Sequence, residues 1–134
     1  MHLKPYLSRL LALVLVLVVG LAGCSSEPGA LSGNYSQDTV KVVENLLSAI
    51  DLPSDAADLK TAQTKARQQI NDYISRYRRD PDSGKLRSFT NMQTALNSLA
   101  GYYTSYGSRP IPDKLKKRIK SEFKQAQLSV ERGD

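Results

Sequence analysis

The sequence predicts an all-α fold: an up-down-up-down four-helix bundle, preceded by an N-terminal signal peptide and a short flexible linker. Three observations carry that expectation. From Val40 to Val130 apolar side chains return at spacings of three and four, the rhythm of one helix face. No stretch alternates with period two between hairpin turns, so a sheet has no candidates. Pro53, Pro81 and Pro110 divide the region into four helical lengths, and connections of about five to eight residues suit antiparallel neighbours.

In the first segment Val40, Val43, Leu47 and Ile50 form the stripe, and Pro53 stops it. Asp58 is placed to cap the second segment, with Asp55 just before it. Its face is Leu59, Ala62, Ala66, Ile70, Tyr73, Ile74 and Tyr77, ended by Pro81 and Gly84. The third carries a seam of Leu86, Phe89, Met92, Leu96, Leu99, Tyr103 and Tyr106, with Gly107 and Pro110 beyond it. Pro112 suits the first turn of the fourth, whose stripe is Leu115, Ile119, Phe123, Ala126 and Val130. Tyr73, Tyr77, Tyr103 and Tyr106 are expected to give ring area to the core while their hydroxyls reach the rim.

The N-terminus has the parts of an export signal. Lys4 and Arg9 give a positive start, residues 10–19 are uninterrupted apolar, and Leu21-Ala22-Gly23-Cys24 closes the run. The apolar run is about half of the ~20 residues that a membrane-spanning helix needs. The tetrapeptide resembles the bacterial lipobox, in which the cysteine is acylated and becomes the new N-terminus; an ordinary secretory signal with a coincidental cysteine is the alternative. The expected organisation is residues 1–23 as a removed signal peptide, 24–33 as a lipid-anchored linker rich in Ser, Gly and Pro, and 34–134 as the bundle domain.

Composition removes several classes of chemistry. The chain has one histidine, His2, and one cysteine, Cys24. A domain without either excludes Ser-His-Asp and Cys-His nucleophile systems and Cys/His zinc sites. Asp80, Asp82 and Gly84 imitate part of a calcium loop, but the glycine comes one position early and Asn91 stands where a bidentate glutamate belongs. No catalytic residue, metal or cofactor is expected, and the protein reads as a non-enzyme.

The net charge is +6. Part of it lies in Arg76, Arg78 and Arg79, and part in Lys114, Lys116, Lys117, Arg118 and Lys120. Export argues against nucleic acid as the partner and for an acidic protein surface or anionic headgroups. Asp72 precedes Arg76 by four residues, a spacing for an intrahelical pair. Arg78 and Arg79 follow at a helix C-terminus, where cations favour the dipole. Those two arginines are therefore either dipole partners or a docking site. The lysine row sits early in the fourth helix, where the dipole disfavours it, and is either a solvated face or a binding patch.

The run Gln68-Gln69-Ile70-Asn71-Asp72-Tyr73-Ile74-Ser75-Arg76-Tyr77-Arg78-Arg79-Asp80 closely resembles the cyanobacterial photosystem II lipoprotein family Psb twenty-seven. So do Leu86-Arg87-Ser88-Phe89-Thr90, Met92-Gln93-Thr94-Ala95-Leu96-Asn97, Arg109-Pro110-Ile111-Pro112 and Glu122-Phe123-Lys124-Gln125-Ala126. The resemblance implies a four-helix bundle, lipid-anchored on the lumenal side of the thylakoid membrane. It implies transient association with incomplete photosystem II, on the large lumenal loop of an inner antenna chlorophyll-binding subunit. Family members assist assembly and repair before the manganese cluster matures. The resemblance carries Cys24 over as the lipidation site. Arg78, Arg79, Arg109, Lys116 and Lys117 are candidates for partner binding from charge and position, and the chain is expected to be a monomer. A structural or small-ligand-binding periplasmic lipoprotein is the alternative.

Overall fold

In the computed structural model, which describes residues 30–107 and 109–134, the side chain of Asn34 accepts the backbone amide of Gln37 and starts the first helix. Four helices follow: α1 (Tyr35–Ile50), α2 (Leu59–Tyr77), α3 (Arg87–Tyr106) and α4 (Asp113–Arg132). The expected signal peptide and Cys24 lie outside the described residues. The packed unit begins at Leu31, so it takes in three residues that the sequence reading placed in the linker. Leu31 packs against the core, and Ser32 and Gly33 are hydrogen-bonded to α1.

The other helices end by different means. Asp58 occupies the N-cap position of α2, but its side chain caps nothing; its carbonyl accepts the Ala62 amide instead, and the Pro53–Ala56 turn leads into the helix. The expected capping by Asp55 and Asp58 is thus not found. Leu86 stands at the N-cap of α3 and has no side-chain acceptor, so the backbone carbonyl of Asp134 takes the Ser88 amide at 3.3 Å. Pro112 lies one residue outside α4, in an extended conformation at its N-cap, and accepts the Lys116 amide. Gly133, at φ 81°, ends α4 in a left-handed turn in which its own amide reaches Val130 and that of Asp134 reaches Ser129.

α1 packs against α2 and α4, and α3 packs against the same two. Interhelical bonds fix the directions. The start of α1 meets the end of α2 and the start of α3, through Tyr77 to Asp38 and Tyr35 to Ser88. The far end of α1 meets the start of α4, where Lys120 and Asp51 pair at 2.7 Å. This is the up-down-up-down bundle. The end holding the start of α1 is called basal below, and the other distal.

Between the ends the core is apolar. Ile70, Met92, Leu96, Leu99, Ile119 and Phe123 are fully buried, as their stripes predict. On α1 the buried arc is rotated from the expected stripe. Val42 and Leu46 are buried with Val43 and Ile50, while Val40 and Leu47 are only half-buried. The buried arc begins at Asp38 and Thr39, which are hydrogen-bonded to Tyr77 and Tyr73 of α2, and Val42, Val43 and Leu46 continue it one and two turns on. Tyr106 leaves the seam altogether and is 51% exposed. Leu96 is fully enclosed at mid-seam. Leu96→Ala should therefore destabilise by about 2–5 kcal/mol through the cavity it leaves. Ser98→Ala, which loses only a bond to the Thr94 carbonyl one turn back, should stay within about 0.5 kcal/mol. Urea melts of both variants check the orientation of α3.

Candidate docking surfaces

The basal end is built around a buried carboxylate. Asp38, in the first turn of α1, is only 1% exposed. Its Oδ1 accepts both the amide and the hydroxyl of Ser32 at 2.7 Å, and Oδ2 accepts the Gly33 amide at 3.1 Å and the Tyr77 hydroxyl. Burial alone would raise its pKa, but these donors together bring it below the ordinary 3.8. The same contact, added to burial, pushes the Tyr77 hydroxyl well above its ordinary value.

Beside it, Thr39 donates its hydroxyl proton to the Tyr35 carbonyl at 2.7 Å. A hydroxyl has one proton, so in the 2.8 Å bond between Thr39 and Tyr73 it is Tyr73 that donates. The Tyr35 hydroxyl reaches Ser88 at 2.6 Å. Tyr35 and Tyr77 stand edge to face with centroids 5.1 Å apart, and Tyr73 stacks on Phe89 at 6.2 Å. The hydroxyls of Tyr73 and Tyr77 therefore point into the fold, not to the rim as the sequence reading has it. Tyr103 differs again: it is buried, its hydroxyl has no partner among the described residues, and burial pushes its pKa up to about 12.

Gly33 is the hinge of the clasp. Its φ is 91°, and a Cβ there would lie 2.8 Å from the Arg76 guanidinium. Arg76 thus lies over Gly33, and no ion pair forms between Asp72 and Arg76, contrary to the expected intrahelical pair. Arg78 is the C-cap residue of α2 and Arg79 follows it; both are exposed. The Asp80–Gly84 turn folds back on the helix end, with the Asp82 amide on the Asp80 carboxylate at 2.9 Å, which lowers the Asp80 pKa. At Gly84 a Cβ would stand 2.8 Å from the Arg78 carbonyl, so this glycine is there for close approach. Among the described residues no cluster of acidic side chains could hold a metal.

Arg109, Lys116 and Lys117 lie at the distal end, and the structure does not bring them together with Arg78 and Arg79. A bundle of twenty-residue helices separates the two groups by roughly 30 Å. Arg109 is exposed in the α3–α4 turn, and its amide reaches back to the Tyr106 carbonyl at 3.3 Å. Next to it Tyr106 packs on Tyr102 at 4.9 Å, and Tyr102 is fixed by its hydroxyl on the Pro110 carbonyl at 2.6 Å. Lys117 is exposed and Lys116 half-buried. Of the lysine row, Lys120 has a structural role in its pair with Asp51. An open groove between α1 and α4 is lined by Ser36, Gln37, Val40, Lys41, Glu44 and Val130.

Asp38 is the residue that the stripe analysis missed. It stands four residues before Val42 and eight before Leu46, in register with the buried face, and an acidic residue in that register was the available signal.

The chain is a small all-α four-helix bundle with exposed cations at both ends. A family model described as Photosystem II Pbs27 matches residues 11–130, and the chain belongs to that family. It is 66% identical over 131 residues to the "Photosystem II lipoprotein Psb27" of Synechocystis sp., covering 98% of this chain and 97% of the relative. It is 44% identical over 130 residues to the "Photosystem II assembly factor lipoprotein Psb27" of Thermosynechococcus vestitus, with 97% of each covered. Among solved structures, the solution structure of Psb27 from cyanobacterial photosystem II superposes with a TM-score of 0.75 at 64% identity, covering 81% of this chain and 95% of that one. Neither relative is named as an enzyme.

The clasp generates two predictions. Tyr77→Phe removes a donor from a buried carboxylate and should cost about 1–3 kcal/mol, whereas Tyr103→Phe removes an unpartnered hydroxyl and should be neutral or stabilising. Because the folded pKa of Asp38 is depressed, its contribution is complete above 3.8 and is lost as pH falls through the lowered folded value. Asp38→Asn should therefore lower stability at neutral pH and flatten the acid limb of a stability–pH curve measured by urea melts.

Proposed function

We propose that the chain is a lipid-anchored accessory factor of photosystem II on the lumenal side of the thylakoid membrane. It binds incomplete photosystem II transiently, on the lumenal loop of the inner antenna chlorophyll-binding subunit, and assists assembly and repair before the manganese cluster matures. The observation that carries this reading is the match along almost the whole chain to relatives named as a photosystem II lipoprotein and a photosystem II assembly factor. Cys24, closing an apolar run, is the acylation site. The bundle acts as a monomer and works by binding alone.

Of the candidate contacts, Arg109, Lys116 and Lys117 belong to the partner-facing end. There a fixed tyrosine pair adjoins exposed Arg109, and tyrosine and arginine are residues in which protein interfaces are enriched. Affinity purification of the tagged chain from membranes should recover photosystem II core subunits without the extrinsic ones; an unrelated envelope protein in their place would overturn the reading.

Two variants probe its parts. Cys24→Ala should abolish acylation, seen as loss of the lipid-modified N-terminus by mass spectrometry. Lys116→Glu with Lys117→Glu should slow association with isolated core complexes, and raising salt should weaken the parent's binding more than the variant's, because screening acts on exposed charge. Identical association rates would leave these lysines as solvated surface.

A further inference from the structure

The two cationic ends are not equivalent, because the polypeptide leaves the bundle at only one of them. Ser32 and Gly33 are held on Asp38, and Gly33 lies directly under the Arg76 guanidinium. The chain therefore emerges beside Arg76, Arg78 and Arg79. From Leu31 back to Cys24 is a stretch of seven residues, which spans roughly 25 Å at full extension. On the reading that Cys24 is acylated, the basal end is confined within that distance of the bilayer, and the distal end is a bundle length further off.

The end of α2 and the turn into α3 carry more positive charge than the helix end needs. A helix C-terminus carries about half a negative charge. Against it stand Arg76, Arg78 and Arg79, all exposed, joined by exposed Lys85 and Arg87 on the turn into α3. The two acidic residues of that turn are Asp80 and Asp82, and the Asp80 carboxylate is engaged by the Asp82 amide. At the end of α4, Asp134 is taken up by Arg132 at 3.3 Å, and Glu131 is exposed. None of the five cations forms an ion pair among the described residues. The ion pairs among the described residues involve other cations: Lys120 with Asp51 at the distal end, and Arg132 with Asp134 at the end of α4.

We propose that Arg76, Arg78, Arg79, Lys85 and Arg87 form a contact for anionic lipid headgroups, which sets the bundle upright on the membrane with its distal end outward. Charge complementarity identifies the ligand, and the tether supplies the local concentration. Each cation near an anionic surface adds to the attraction, and the sum falls off within a Debye length. The acyl chain holds the protein at the membrane; the arginine cluster decides which end faces it.

The chain contains no tryptophan, so one introduced residue reports position without background. The acylated protein, carrying either Pro81→Trp (basal) or Ser105→Trp (distal), is reconstituted into vesicles containing dansyl-headgroup lipid, made of phosphatidylcholine alone or with one part in three phosphatidylglycerol. The expected result is energy transfer that is severalfold stronger from the basal tryptophan in the anionic vesicles. That excess should fall towards the distal value in phosphatidylcholine alone, at high salt, and with Arg78→Glu and Arg79→Glu. Lys85→Glu with Arg87→Glu is a second variant away from the helix end, and circular dichroism checks that each is folded.

Basal transfer that ignores phosphatidylglycerol and the arginine reversals would overturn the proposal. So would reversals that leave the vesicle signal intact but slow association with photosystem II cores, which would make the cluster a protein contact. An unmodified Cys24 by mass spectrometry would defeat the anchoring reading separately. The Pro81→Trp signal, and its dependence on phosphatidylglycerol and the arginines, would then judge the cluster by itself.

Discussion

The fold depends on one ionised carboxylate kept out of water. A buried charge without partners costs far more than any single contact returns, so Asp38 is tolerable only with its donors in place. Those donors come from Ser32, Gly33 and Tyr77, that is, from the segment before α1 and from the last turn of α2. The adjoining bonds of Thr39 to Tyr73 and of Tyr35 to Ser88 carry the arrangement to α3. A satisfied buried network of this kind admits one relative placement of its members, whereas the apolar seam of Leu96, Leu99, Met92 and Phe123 supplies attraction with less demand on register.

The helices were legible in the sequence because apolar periodicity is a local property, and the stripes of α2, α3 and α4 are buried much as their spacing implies. What escaped was set by tertiary neighbours. The arc of α1 follows Asp38 and Thr39, whose partners Tyr77 and Tyr73 lie on α2, and this clasp joins residues far apart in sequence that no periodicity connects. Caps behaved likewise: Asp58 has the right residue type in the right place, yet its side chain bonds to nothing at the helix start, while α3 is capped by the backbone of Asp134. The candidate surfaces were legible as charge clusters, but their placement at opposite ends followed only from the directions of the helices.

That separation gives the bundle a polarity that its composition hides. One end combines chain exit, clasp and arginines; the other combines a tyrosine pair, with Tyr106 exposed, and lysines at a helix start. Family membership ties the chain to relatives named for photosystem II, and the geometry adds an axis whose two ends differ in chemistry. A partner approaching the distal end would meet cations that, apart from Lys120 with Asp51, form no ion pair among the described residues.

The clasp also determines how the fold bears mechanical load. A pull on the chain upstream of Leu31 does not peel α1 from its first residue. It arrives at Ser32 and Gly33, passes through three hydrogen bonds to Asp38 inside α1, and is shared at once with Tyr77 on α2. Bonds loaded side by side fail together, whereas bonds loaded in series fail one after another. Load that enters through this segment is spread over α1 and α2 together, and the carboxylate must lose several donors at once before α1 can be drawn away.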